Sequence, residues 1–317
     1  MNGSLTTTEA RPVRPWWLKA GIQSTLALLP QSQRWNRLFQ RYVTRTLRLR
    51  ESTFERKWAQ ALRHHANWRL HRSPPPRSVL ELGTGWHPIV PCGLALLGVE
   101  QVYTLDVQSL VSKQTLAETL TLFDALLSVE PCNLPIDLDR LEVLRDLIRH
   151  PPPDPGVALA RLGVHTLTAD ARGTVLDAGT IDLFVSNNTL EHIDRATIAA
   201  IFEELGRLSG PSAMMSHFID MTDHYASFDP RITVYNFLQF TDASWRLFDN
   251  ELQHQNRLRV TDFRELHRAS GWRLLDEENA SDPEAFRRVD LAPRFRSYPS
   301  EDCMVHSSWI TSERVPP

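Results

Sequence analysis

Four groups of side chains stand at spacings that could do chemistry. The first is Glu81-Leu82-Gly83-Thr84-Gly85, a carboxylate inside an apolar run followed by two glycines. Such glycines let a backbone turn tightly and approach a ligand that a Cβ would exclude. A carboxylate in an apolar run is costly unless it is paired. It is either a buried ion pair or a polar anchor for the turn, and the next two groups favour the anchor. The second group is Val102-Tyr103-Thr104-Leu105-Asp106. Its terminal acid falls about twenty residues after the glycine turn, where nucleoside-binding α/β folds hydrogen-bond ribose hydroxyls. The third is Asn187-Asn188-Thr189-Leu190-Glu191-His192, which ends an apolar run beginning at Ile181. The fourth is the dense polar stretch from His217 through Asp220, Asp223 and His224 to Tyr225.

These residues need a scaffold of strands and helices. Ser78–Leu82 reads as a buried central parallel strand, because Val79, Leu80 and Leu82 leave neither face polar. Ile89–Leu97 is then the first crossover helix. Further strands are expected at 164–168, 180–187, 213–219, 272–276 and 304–311, the last two as antiparallel neighbours. Asp194–Ser209 is expected as a helix stopped by Gly210-Pro211. Asp262 is expected to cap a helix over Phe263–Ser270. Before the glycine turn the pattern is helical: Trp16 to Leu29, Trp35 to Leu47, and a third helix capped by Ser52 that carries Phe54, Trp58, Leu62 and Trp68. His71–Arg77, with three prolines, is a stiff linker. Helices at 113–129 and 138–148, then a Pro-rich loop at 151–155, exceed what a simple crossover requires.

The segments, in this order, resemble the class I S-adenosylmethionine-dependent methyltransferases over roughly residues 77–310. Glu81-Leu82-Gly83-Thr84-Gly85 resembles the family's first motif, with His87-Pro88 standing where a third glycine is common. The resemblance implies S-adenosyl-L-methionine as cofactor. It assigns Glu81, Gly83, Gly85 and Asp106 to its adenosine and turn contacts, Asp170-Ala171 to the adenine, and Asn187 to the methionine part. It also implies an α/β fold: a doubly wound Rossmann-like sheet, mostly parallel with an antiparallel last strand, plus an N-terminal helical cap and a helical insertion. The expected division is a cap and linker over 1–76 and a methyltransferase domain over 77–317, with 109–163 the insertion.

Groups beside the acceptor should follow the fourth and fifth strands. Glu191, His192, His217 and His224 are the candidate catalytic residues, histidine being a natural base near neutral pH. Asp220, Tyr225 and Arg257 are the candidate acceptor contacts; Arg257 could bind an anion or hold the C-terminal lobe by an ion pair. The spacing of His217, Asp220 and His224 fits no sharp metal signature, so no metal is expected.

The formal charge of −3 over 317 residues leaves no basic footprint for nucleic acid. Cys92, Cys132 and Cys303 are scattered and fit a reducing, cytoplasmic setting. No apolar stretch is long enough to span a bilayer, although Trp16-Trp17 could lie on a membrane surface. The expected activity is methyl transfer to a small molecule, in a biosynthetic pathway. The competing readings are a peptide or protein acceptor, a nicotinamide-dependent dehydrogenase, and a non-catalytic nucleotide-binding protein. The sequence leaves oligomeric state open, a homodimer included.

Overall fold

The computed structural model describes residues 15–17, 20–21, 49–129, 134–250 and 254–315. Seven strands form one sheet: β1 Ser78–Leu82, β2 Gln101–Asp106, β3 Val164–Thr168, β4 Ile181–Asn187, β5 Ser209–Asp220, β6 Trp272–Ser281 and β7 Val305–Arg314, in the order β3-β2-β1-β4-β5-β7-β6. The first five run parallel, and β7 pairs antiparallel with both β5 and β6.

Alternation along the strands sends successive side chains to two separate cores. Val79, Val102, Leu183, Val185 and Met214 face one; Leu80, Leu82, Leu105, Phe184 and Met215 face the other. The first core is covered by α1 Glu51–His71, α2 Ile89–Leu96, α3 Lys113–Val129, α4 Leu138–Arg149 and α5 Pro155–Arg161. The second is covered by α6 Arg195–Leu208 and α7 Val260–Ala269. A third, mainly aromatic cluster joins Tyr225, Tyr235, Phe237, Trp245 and Phe295, with Trp16 packed against it.

The enlarged β2–β3 connection belongs to the first core: Leu116, Leu120 and Phe123 of α3 meet Leu141, Leu144 and Leu147 of α4 there. The Pro-rich loop holds an unexpected helix. Asp154 caps it by accepting the Gly156 N–H at 2.8 Å, and Pro155 opens it, where a missing N–H costs nothing.

Other boundaries moved for physical reasons. The helix expected from Ser52 starts at Glu51 after Arg50, without a side-chain cap, because burial of Phe54 and Trp58 fixes it. α7 starts at the buried Val260, so Asp262 sits inside the first turn and accepts the Arg259 N–H at 2.8 Å. β5 runs back through Gly210-Pro211, with an irregular register between Ile181 and Leu183 accommodating the proline. β6 and β7 are longer than expected because the ladder continues through exposed polar residues such as Glu278 and Asn279. The helix expected over Trp35–Leu47 and most of that over Trp16–Leu29 lie outside the described residues. Among the described residues, no helix is long and apolar enough to cross a membrane.

Candidate active site

The site is built at the carboxyl ends of β1, β2 and β4. Glu81 is buried, and its Oε2 accepts a 2.7 Å hydrogen bond from Thr104 Oγ1. Thr104 shares a 2.5 Å hydrogen bond with Thr84 inside the glycine turn. Burial pushes the Glu81 carboxyl up to about 7, opposed by the Thr104 hydrogen bond and by the Lys57 ammonium. Glu81 thus ties the turn to β2 from below. Gly83, at φ +85°, must be glycine: a Cβ there would stand 2.4 Å from Thr189 Oγ1. Gly85, at φ +65°, would point a Cβ into open space whose nearest atom is Lys57 Nζ, 3.9 Å away.

Asp106 closes β2, half-buried. One carboxylate oxygen accepts the Gly85 N–H and the other the Gln108 N–H, both at 3.2 Å. Each oxygen keeps a further lone pair. The next residue, Val107, is 71% exposed, an apolar side chain beside a polar anchor. Asp170 is differently placed. Its carboxylate is gripped by the Arg172 guanidinium, at 2.5 Å to Nη2, and by the Arg172 N–H at 2.9 Å. Arg172 holds it down to about 2. Ala171 packs against the second core.

Helix α1 contributes what the sequence reading missed. Its aromatic stripe, Phe54, Trp58 and Trp68, enters the first core, while Lys57, Gln60, His64 and Asn67 form a second, polar stripe. Asn67 Nδ2 donates to Ser216 Oγ at 3.0 Å, Ser216 shares a 2.9 Å bond with His64 Nδ1, and His64 Nε2 lies 3.2 Å from Asn187 Oδ1. Read in that order, each donor meets an acceptor, and His64 carries its proton on Nε2. Burial takes the His64 imidazole down to about 3, so it stays neutral. The relay ends on Asn187, whose Nδ2 is buried with no hydrogen-bond partner among the described residues. Burial also lowers Lys57, which stands half-buried above the glycine turn. The recoverable signal was polar residues at i, i+3, i+7 and i+10 on a helix already carrying an aromatic face.

The expected catalytic residues separate into two places. His217 is fully buried on the α6 side of the sheet, with Nδ1 2.8 Å from Ser186 Oγ and the ring stacked on Phe202 at 5.7 Å. Burial drives its imidazole well below the ordinary range. Strand alternation turns it away from α1 and the glycine turn, which corrects its assignment to the acceptor. Glu191, His192 and His224 do converge, with the two imidazole centroids 5.0 Å apart. Asp220 is beside them, its Oδ2 3.8 Å from His224 Nε2.

Tyr225 and Arg257 are placed elsewhere. Tyr225 is buried in the aromatic cluster, with its hydroxyl 3.2 Å from the Phe248 carbonyl. Arg257 is buried too, donating to the carbonyls of Phe237 and Phe240 at 3.0 and 2.7 Å and to Asp242 at 2.5 Å. Its guanidinium lies 5.3 Å from the ring centres of both Trp245 and Phe295. That is the strut reading of Arg257, with both terminal nitrogens of the guanidinium bonded to the protein.

A sheet ordered 3-2-1-4-5-7-6, with one antiparallel strand, decides the fold. The chain has the class I methyltransferase fold. No protein-family model matches it, and neither does any curated protein. Similar solved structures include a protein from Pyrococcus horikoshii (13% identity, 89% of this chain and 99% of that one, TM-score 0.48). Another is an S-adenosylmethionine-dependent methyltransferase from Methanosarcina mazei (10%, 78% and 97%, 0.44). A third is the 1,6-didemethyltoxoflavin N1-methyltransferase of Burkholderia thailandensis, solved with 1,6-didemethyltoxoflavin and S-adenosylhomocysteine (12%, 99% and 99%, 0.44). At these identities the likeness concerns the fold alone.

Proposed function

We propose that this chain binds S-adenosyl-L-methionine and transfers its methyl group to a small-molecule acceptor. The observation that carries the reading is Asp106: a half-buried carboxylate at the end of β2, oriented by the Gly85 amide, with lone pairs left for a ribose diol. Three further features fit the same ligand. Val107 offers an apolar surface for a base beside that carboxylate. Gly85 leaves room over the turn, and Lys57 stands across that room as a counter-charge for an amino-acid carboxylate. Asn187 brings an unpaired buried donor to the same strand ends. Glu81 and Gly83 support the turn, and the Asp170-Ala171 backbone borders the base, since the Asp170 carboxylate is committed to Arg172.

Methyl transfer from a sulfonium is an in-line displacement in which the sulfur leaves as a neutral thioether. Placing the acceptor atom behind the methyl carbon can supply about 7–11 kcal/mol, whereas a general base adds roughly 3–5 kcal/mol. Position is therefore the larger part of what the protein must provide. The wall facing α1 supplies it with His64 packed edge-on to Trp309 at 5.0 Å and Phe218 against Trp309 at 5.1 Å. Aromatic walls beside the half-buried Asp220 suit a compact acceptor with an apolar body and a polar end. In this proposal residues 1–76 act as a cap through α1, residues 77–317 form the catalytic domain, and 109–163 enlarge the crossover.

The test is incubation with isotopically labelled S-adenosylmethionine and extracts of the source cells. A labelled low-mass product is expected. Label confined to polypeptide would move the acceptor to protein, and no transfer in a chain that binds the donor would leave a binding protein.

A further inference from the structure

The cluster after β4 and β5 has an organisation that the methyl-transfer reading does not require. Glu191 is 3% exposed, and neither carboxylate oxygen makes a well-formed hydrogen bond among the described residues. A buried, unpartnered carboxylate is costly unless something positive meets it. No lysine or arginine forms an ion pair with it among the described residues; its neighbours are imidazoles. Side-chain donor atoms of Glu191, His192 and His224 lie within 4.8 Å of one another.

Three consecutive residues hold the backbone that carries these side chains, and one of them holds the His192 ring as well. The His254 carbonyl lies 2.7 Å from His192 Nδ1, so that nitrogen is the one protonated and Nε2 keeps its lone pair. Gln255 Oε1 accepts the His224 backbone N–H at 3.1 Å, while its Nε2 donates to the Thr222 carbonyl at 2.8 Å. Asn256 Nδ2 donates to the carbonyls of Leu190 and Ile193, both at 2.7 Å, and its N–H donates to the Glu191 carbonyl at 2.9 Å. Asp249 holds this clamp in turn, through His254 Nδ1 at 2.7 Å and the Gln255 N–H at 3.1 Å. An imidazole whose second nitrogen donates to a carbonyl is the usual arrangement behind a metal-binding histidine.

We propose that Glu191, His192 and His224 form a site for one divalent transition-metal ion, with Asp220 at its edge. Two imidazole nitrogens and one carboxylate oxygen suit zinc, manganese, iron(II) or cobalt better than magnesium or calcium, which take mostly oxygen ligands. Bonds of about 2.0–2.2 Å set donors about 3–4 Å apart, so a bound ion would draw the three donor atoms closer together. Three protein ligands leave coordination positions open to solvent or to an acceptor oxygen; only that last clause rests on the proposed function. His217, which the sequence groups with His224, takes no part, since it lies across the sheet.

The experiment uses the full chain, freed of metal with a chelator and titrated with Mn2+, Zn2+ and Co2+ by calorimetry, with S-adenosylhomocysteine titrated separately. One equivalent of at least one cation is expected per chain, with ligand-field absorption bands for Co2+. Glu191→Gln keeps the side-chain shape and removes the unpartnered charge, so it should fold as well as the parent. It should weaken the cation at least about tenfold, and His192→Gln likewise. S-adenosylhomocysteine affinity should stay within about twofold in both variants. No uptake of any of the three cations, or uptake unchanged in both variants, overturns the site. Cation uptake by a chain that binds no S-adenosylhomocysteine keeps the site and removes the methyl-transfer reading.

Discussion

Asp106→Ala should weaken S-adenosylhomocysteine binding by about a hundredfold. The carboxylate has two oxygens, each already accepting one backbone N–H at 3.2 Å and each with a lone pair left. A hydrogen bond to a charged group contributes about 1.5–3 kcal/mol. Two hydroxyls sharing one carboxylate do not add fully, so about 3 kcal/mol is a fair sum, and each 1.4 kcal/mol is about tenfold. The alanine also frees the Gly85 and Gln108 amides, but Asp106 is only half-buried and water can reach them, so the fold should lose about 1 kcal/mol. Asp106→Asn, which keeps one acceptor, should fall between, near about tenfold. Calorimetry with S-adenosylhomocysteine measures the affinities, and thermal melts check the fold. Affinity within about threefold of the parent, in an alanine variant that melts normally, would remove Asp106 from the site.

Other consequences follow from the same geometry. Lys57→Met should weaken S-adenosylhomocysteine by about tenfold or more yet leave methylthioadenosine, which lacks the carboxylate, unchanged; equal losses in calorimetry would deny Lys57 that contact. Glu81→Gln should flatten part of the pH dependence of stability. The folded-state affinity of Glu81 for a proton is raised to about 7 from 4.5. The native state therefore binds more protons between those values, and the wild type loses stability relative to the variant as pH rises from about 4.5 through 7. Denaturant melts at pH 5 and pH 8 that show the same difference between the two proteins would refute this. Arg257→Ala should cost about 2–3 kcal/mol of stability, because it leaves the Phe237 and Phe240 carbonyls without their buried donor, whereas the exposed Asp242 keeps its pairing with Arg294. A normal melt with impaired turnover would return Arg257 to the acceptor side.

The centre of the sheet was legible because a strand covered on both faces is almost wholly apolar: β1, buried from Val79 to Leu82 with Glu81 its one charged residue, falls where the pattern places it. The glycine turn was legible for a related reason, since positive φ at Gly83 and Gly85 admits few other residues. Less legible was anything decided by contacts between distant segments. His64 looks like an ordinary helical residue until β5 brings Ser216 to its Nδ1. His217 looks catalytic by type, yet alternation along β5 commits it to the core with Phe202. The stretch from His254 to Asn256 has no local pattern at all. Its meaning is the clamp it forms on turns more than sixty residues earlier in the chain. Tyr225 and Arg257 show the same limit: polar side chains in an aromatic-rich stretch resemble a binding site, and only the fold shows the Tyr225 hydroxyl near the Phe248 carbonyl and Arg257 as the strut that was its other reading.

The account stands most directly on whether the crevice at the ends of β1, β2 and β4 takes the adenosine end of a sulfonium donor. Titrating the wild-type chain with S-adenosylhomocysteine, and separately with NAD, measures this. One equivalent of S-adenosylhomocysteine bound, with no heat from NAD, is the expected result. Saturable NAD binding in a chain that ignores S-adenosylhomocysteine would contradict it.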